Sequence, residues 1–336
     1  MDILSRYRKP LVEAMGSLLG GPRSPILDLS RYHMGLADEG GALREDVAGK
    51  LLRPTLCLAV CEALGGDISG CLPAAISIEV IHRTSLVFDD IQDRSPRRNH
   101  RQAIWEMQGV DEAINVGLAL SCYARLSLHG MLEHQPSPNT VLEVHRLLEQ
   151  AALGMCRGQH IDLQFQQATS EGEVPTLSEY LEMVRLKTCV LVGAACEVGA
   201  LVAGATEQRE AARSFGESLG VAFQLQDDSL GVWGHEANMG KLPVDLEQRK
   251  WGLPAVLAMQ QRPDEFVDLL GASPQDRQAT KLLGAILDSQ KIREKAQDLT
   301  VQAAKRAQAL LEQMALASAW KDELGALTEF VVTRAA

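Results

Sequence analysis

Phe88-Asp89-Asp90-Ile91-Gln92-Asp93 is the stretch on which the fold turns, and a second acidic run, Phe223-Gln224-Leu225-Gln226-Asp227-Asp228, answers it late in the chain. Both lie in a sequence that otherwise reads as helix. On a helix Asp89 and Asp93, four apart, share one face a turn apart. Like charges at that spacing destabilise a helix unless something positive sits between them. Carboxylates are hard oxygen ligands that suit Mg²⁺, which keeps waters and takes phosphate oxygens as its remaining ligands. If the two runs face each other, they would hold several magnesium ions and one diphosphate. Two unit charges 4 Å apart cost about 4 kcal/mol at an effective dielectric near 20. Several such pairs would exceed a domain's stability of roughly 5–15 kcal/mol. Divalent metal is then an electrostatic requirement.

Outward from these runs the pattern stays helical. Val141, Val144, Leu148, Ala151 and Met155 step by three and four and form one apolar stripe. Thr176 with Glu179 makes a capping box. Breaks fall at Gly20-Gly21-Pro22, Gly65-Gly66, Gln135 to Pro138, Ser170 to Pro175 and Gly271 to Pro274. No alternating β-branched run suggests a sheet. Both acidic runs sit near helix ends: Pro96 stops the first, and Gly231 with Gly234 the second. The fold class expected is all-α; the length alone would allow one large core or two domains.

The chain has 336 residues and a net charge of −11. That balance argues against a nucleic-acid partner, which needs a basic face. The start, Met-Asp-Ile-Leu-Ser-Arg, does not read as a signal peptide. The most apolar stretch, Cys189 to Ala205, carries Glu197 and three glycines and is short for a bilayer span. It is expected to be a core helix, leaving no transmembrane segment. The seven cysteines, none in a Cys-x-x-Cys pair, are expected as core residues of a cytoplasmic protein.

Further segments bring in a family. Gly49-Lys50-Leu51-Leu52-Arg53-Pro54, His82 seven residues before Asp89, Arg98, Gly158-Gln159 with Asp162, Lys187-Thr188, Lys241 and the run Asp245 to Lys250 follow one another in order. Together with the acidic runs they resemble the trans-isoprenyl diphosphate synthases, the polyprenyl synthetase family, over nearly the whole length. Three positions depart from that pattern. Asn99 stands where the family usually has a second arginine, which Arg97 or Arg101 could replace. Gly231 stands for the last aspartate of the second motif, and Leu51 for a frequent arginine.

The resemblance implies a single domain over 1–336, an isoprenoid synthase bundle around an elongated central cavity, a homodimer, and Mg²⁺, three ions with bound diphosphate. It implies metal ligands among Asp89, Asp90, Asp93, Asp227 and Asp228. The implied reaction is head-to-tail 1′-4 condensation of isopentenyl diphosphate with dimethylallyl, geranyl or farnesyl diphosphate. Gly49, Lys50, Arg53 and His82 would hold the isopentenyl diphosphate. Arg98, Lys187, Lys241 and Lys250 would neutralise diphosphate. Thr188 and Gln224 would offer oxygen dipoles to the allylic cation. Thr84 and Ser85, five and four residues before Asp89, would line the cavity, with Ile81 a turn deeper. Small residues there imply a C20 product, geranylgeranyl diphosphate. Two other readings remain: a class I terpene cyclase on the same fold, and a non-catalytic subunit of a heteromeric synthase.

Overall fold

The computed structural model describes residues 3–44, 49–99, 101–134, 137–169, 175–234, 252–260, 266, 268–269, 277–288 and 290–333. The helices are α1 (Ile3–Arg6), α2 (Arg8–Leu18), α3 (Pro25–His33), α4 (Leu52–Ala63) and α5 (Ile68–Gln92). A short hairpin follows, β1 (Arg97–Arg98) against β2 (Arg101–Gln102). Then come α6 (Ile104–Gln108), α7 (Val110–Ser127), α8 (Pro138–Thr169), α9 (Leu177–Val184), α10 (Val190–Val202) and α11 (Arg209–Trp233). The chain ends with α12 (Leu253–Met259), α13 (Arg277–Leu287), α14 (Gln290–Gln313) and α15 (Ser318–Thr333). The hairpin, which sequence reasoning did not anticipate, is the one sheet among the described residues. The all-α expectation holds.

The chain divides into two compact units: Met1–Ala152 with Ala194–Arg213 and Met314–Trp320, and Leu153–Gly193 with Ser214–Gln313 and Lys321–Ala336. The first is organised by α5. Asp67 caps it, accepting from the Ser69 N–H at 2.9 Å. Its sides pack on α4 and α7 through Ile76, Ile78 and Val80, all buried. Each such side chain contributes roughly 1.5–3 kcal/mol. Polar ties add register: Ser77 Oγ donates to the Ala124 carbonyl at 2.7 Å, and Ser127 Oγ to that of Pro73 at 3.1 Å. The Phe88 ring lies on Gly117 of α7, where any side chain would collide with it.

By length and composition α5 could cross a membrane, with a mean hydropathy of 1.3 in its most apolar window. Buried Glu79, Arg83 and Asp90 along it fit a core helix better. The helix ends at Gln92. Asp93 still donates its N–H to the Asp89 carbonyl at 2.8 Å, and Arg94 then turns left-handed at φ 49. The stop therefore comes just before the Ser95-Pro96 step that the sequence marked.

The Cys189–Ala205 stretch is a core helix as expected, with Leu191, Ala195 and Val198 fully buried. Cys57, Cys61 and Cys71 are buried and free, whereas Cys122 and Cys156 are exposed, against the core expectation.

In the second unit, α9 starts with the capping box: Glu179 N–H donates to Thr176 Oγ1 at 3.2 Å and Thr176 N–H to the Glu179 carboxylate at 2.8 Å. The core gathers Tyr180, Val184, Leu225, Leu257 and Ile292. Between α9 and α10 the chain widens into a π-helical turn, Arg185–Cys189. Glycines flank it on both sides. A Cβ on Gly158 of α8 would overlap the Leu186–Lys187 backbone, and one on Gly220 of α11 would sit 3.0 Å from Cys189 Cα.

Candidate active site

In the first unit, Arg98 supplies the positive charge that the acidic run requires. Its guanidinium sits 2.7 Å from Asp90 Oδ1 and 3.1 Å from Asp89 Oδ2. The hairpin delivers it, because Arg98 is the last residue of β1. Asn99 follows at φ 50. Asparagine tolerates that left-handed position better than arginine, which gives the departure at residue 99 a local cause. Arg101 does not replace the missing charge at the site. It donates to the carbonyls of Tyr32 at 2.8 Å and Ala37 at 2.6 Å and lies 3.8 Å over the Tyr32 ring.

The three carboxylates of the first run separate by environment. Asp90 is buried, and burial pushes it up to about 6 despite Arg98. Asp89 and Asp93 stay half-buried. Arg98 is held by both Asp90 and Asp89, and Asp89 and Asp93 share the one face on which their oxygens could take a magnesium ion. Among the described residues no three Asp, Glu, His or Cys side chains form a ready-made metal cage.

Two turns back from Asp89, His82 is held well below the ordinary histidine range by burial, then by the nearby charges of Arg53, Arg83 and Arg98. It is neutral at pH 7 and can offer one ring N–H to an anion. Lys50 and Gly49 are exposed, and Arg53 is half-buried in the first turn of α4. Leu51, the buried N-cap of α4, is left-handed at φ 50. On the next face of α5, the hydroxyls of Thr84 and Ser85 bond back to the carbonyls of Val80 at 2.8 Å and His82 at 2.7 Å. With their polar atoms tied to the helix, both present small, mainly apolar surfaces. Ile81 is half-buried and Ile78 fully buried.

In the second unit, the π-helical turn carries Lys187 and Thr188. Lys187 Nζ lies 2.6 Å from Asp162 Oδ2, one helical turn past Gly158 on α8. Thr188 donates to Gln224 Oε1 at 2.9 Å, and Gln224 Nε2 donates to Asp228 Oδ1 at 2.7 Å. The other Asp228 oxygen accepts from the Tyr180 hydroxyl and from the Leu253 N–H at 2.9 Å. Asp228 is therefore a buried hydrogen-bond hub, and Asp227 beside it is the half-exposed carboxylate suited to metal. Tyr180 was not among the candidate residues; nothing in its spacing marks a residue that acts through another. Gly231 lies inside α11 rather than ending it; the helix runs to Trp233. Lys241, Lys250 and the Asp245 to Lys250 run lie outside the described residues.

A family model described as polyprenyl synthetase matches residues 43–287. The chain belongs to the polyprenyl synthetase family. It is 38% identical over 248 residues to a (2E,6E)-farnesyl diphosphate synthase of Mycobacterium tuberculosis, a match covering 73% of this chain and 66% of that relative. It is 33% identical over 271 residues to a geranylgeranyl diphosphate synthase of the same organism, covering 80% and 75%. The crystal structure of a polyprenyl synthetase from Streptomyces coelicolor superposes with a TM-score of 0.88 at 28% identity, over 98% of this chain and 99% of that one. This polyprenyl synthetase chain thus has the isoprenoid synthase fold, and its relatives support a prenyltransferase. They differ in product, so membership leaves chain length open.

Proposed function

We propose that this polyprenyl synthetase catalyses Mg²⁺-dependent head-to-tail condensation of isopentenyl diphosphate with an allylic diphosphate. The carrying observation is the Thr188–Gln224–Asp228 chain of hydrogen bonds, which ties the π-helical turn to α11 next to Lys187 and Asp227 in sequence. It fixes the Thr188 hydroxyl on the same turn as Lys187, with that oxygen's lone pairs not used by the bond to Gln224. Magnesium, which Asp89 with Asp93 and, separately, Asp227 would hold, would act as a Lewis acid on the leaving diphosphate.

The protein's own groups do the rest. Arg98, Lys187 and Lys241 neutralise the departing pyrophosphate, with Lys250 beyond them. Thr188 and Gln224 stabilise the allylic cation. Lys50, Arg53 and neutral His82 hold the isopentenyl diphosphate so that its double bond meets that cation. Pyrophosphate takes the final proton, so no protein base is needed. The small surfaces at Thr84 and Ser85 favour a C20 product. Residues 1–336 act as one functional domain in a cytoplasmic homodimer. The exposed Val110, Ile114 and Leu118, spaced by four on α7, support contact with a second copy. Incubation with Mg²⁺, isopentenyl diphosphate and each allylic primer tests the reading: an elongated prenyl diphosphate supports it, and a hydrocarbon or terpene alcohol from geranylgeranyl diphosphate alone replaces it with a cyclase.

A further inference from the structure

Gly49 is held from two sides by arginines that the family pattern does not assign. The Arg8 guanidinium, on α2, donates from Nη1 to the Gly49 carbonyl at 2.9 Å. The Arg83 guanidinium, on α5, lies so close to the Gly49 Cα that a Cβ there would sit 2.6 Å from Nη2. Gly49 also has φ +106, a conformation that side-chain-bearing residues rarely adopt. Arg83 is itself immobilised. Its Nε is 2.7 Å from Glu79 Oε1, both side chains are buried, and its carbonyl accepts from the His33 ring at 2.8 Å. Only Lys50 and the left-handed Leu51 separate Gly49 from α4. A left-handed leucine costs roughly 1–2 kcal/mol and persists only where its surroundings over-determine it.

We infer that Arg8 and Arg83 are positioning residues for isopentenyl diphosphate, clamping Gly49 so that Lys50 and Arg53 are pre-set for its diphosphate. The inference rests on the proposed function and deepens it. Arg83 is too buried to be reached readily by substrate, so it acts through the backbone of Gly49. The fork matters as well as the charge, because its Nη2 end reaches Gly49 while Nε stays on Glu79, which a single ammonium cannot do.

The test is steady-state kinetics on the full chain carrying Arg83→Lys, which keeps a cation beside Glu79, and separately Arg8→Gln, on a partly exposed helix. Calorimetric binding of isopentenyl diphosphate alone accompanies both. In each variant the KM and Kd for isopentenyl diphosphate are expected to rise about tenfold, while kcat and the allylic KM stay within about twofold. Thermal midpoints confirm folding, and Arg8→Gln decides the matter if Arg83→Lys does not fold. Unchanged isopentenyl binding, or an equal rise in both KM values, overturns the clamp. A wild-type chain that binds isopentenyl diphosphate without transferring it would instead overturn the functional reading.

Discussion

The Tyr180 hydroxyl donates to Asp228 Oδ2, the same oxygen that takes the Leu253 N–H. Asp228 thus spends its lone pairs inside the protein and fixes Gln224, which in turn receives the Thr188 hydroxyl. Polarity runs one way along this chain: Thr188 gives its proton to Gln224, leaving its oxygen lone pairs for a developing cation. Tyr180→Phe removes one donor from a buried carboxylate. It is expected to cost about 1–3 kcal/mol of stability and to lower kcat several-fold, with the KM for isopentenyl diphosphate unchanged. Urea denaturation and steady-state rates check this. A variant as stable and as fast as the parent contradicts the hub.

Asp89 and Asp90 are neighbours with different burial, and the proposed function gives them different tasks. Asp89→Asn is expected to lower kcat about 100-fold and raise the Mg²⁺ concentration needed for half-maximal rate, as for loss of one electrostatic stabiliser. Asp90→Asn keeps an oxygen for Arg98 and should cost about tenfold, with the Mg²⁺ midpoint unchanged. Magnesium titrations of initial rate separate the two, and identical midpoints would contradict the division of labour.

Gly158 admits α8 against the backbone of the π-helical turn. Gly158→Ala forces the Leu186–Lys187 backbone away, and overpacking of that kind costs about 1–3 kcal/mol. Because Lys187 and Thr188 move with it, kcat should fall together with the thermal midpoint. A variant with unchanged melting and unchanged kcat would show that the close approach is dispensable.

His33 carries a pH signature. Burial pushes it down to about 3, so the unfolded chain binds that proton more tightly. Its contribution to stability is complete above about pH 6.5 and is lost as pH falls toward 3. Asp90 works in the opposite sense. Raised to about 6, it contributes below its unfolded value and loses that contribution as pH rises to 6. The two slopes largely cancel between, so the signal lies in the difference between variants. From pH 6.5 to 5, His33→Gln should gain stability relative to the parent by at most about 1.4 kcal/mol per pH unit. Urea melts at three pH values measure it, and parallel curves would contradict the shift.

Thr84→Phe places a ring five residues before Asp89, on the surface now kept small by the bonded-back threonine. The expected product shortens from C20 to C15, read by mass spectrometry. Unaltered length would mean that this face of α5 does not limit the chain.

Much of this was legible in the amino-acid order, because it rests on local rules. Apolar spacing predicts α8, and Thr176 with Glu179 predicts the start of α9. The spacing of Asp89 and Asp93 predicts their common face. What stayed hidden depends on contacts between distant segments. Nothing local separates Asp90 from Asp89, or Asp228 from Asp227; burial separates the first pair, and burial with the Tyr180 hydroxyl the second. Nor does the Arg185–Cys189 segment betray its π-helical turn, since the extra residue is accommodated by Gly158 and Gly220 on other helices. Arg101 looked available by composition, yet Tyr32 and Ala37 had claimed it.

The central claim is that each aspartate motif is required for the proposed Mg²⁺-dependent chain elongation. Its most direct measurement is pyrophosphate release with product mass, using purified protein, Mg²⁺, isopentenyl diphosphate and an allylic primer, omitting each component in turn. The account predicts release only when all are present, with a primer longer by five carbons, and loss of that product in both Asp89→Asn and Asp227→Asn. Release without isopentenyl diphosphate, or full elongation by either variant, would contradict it.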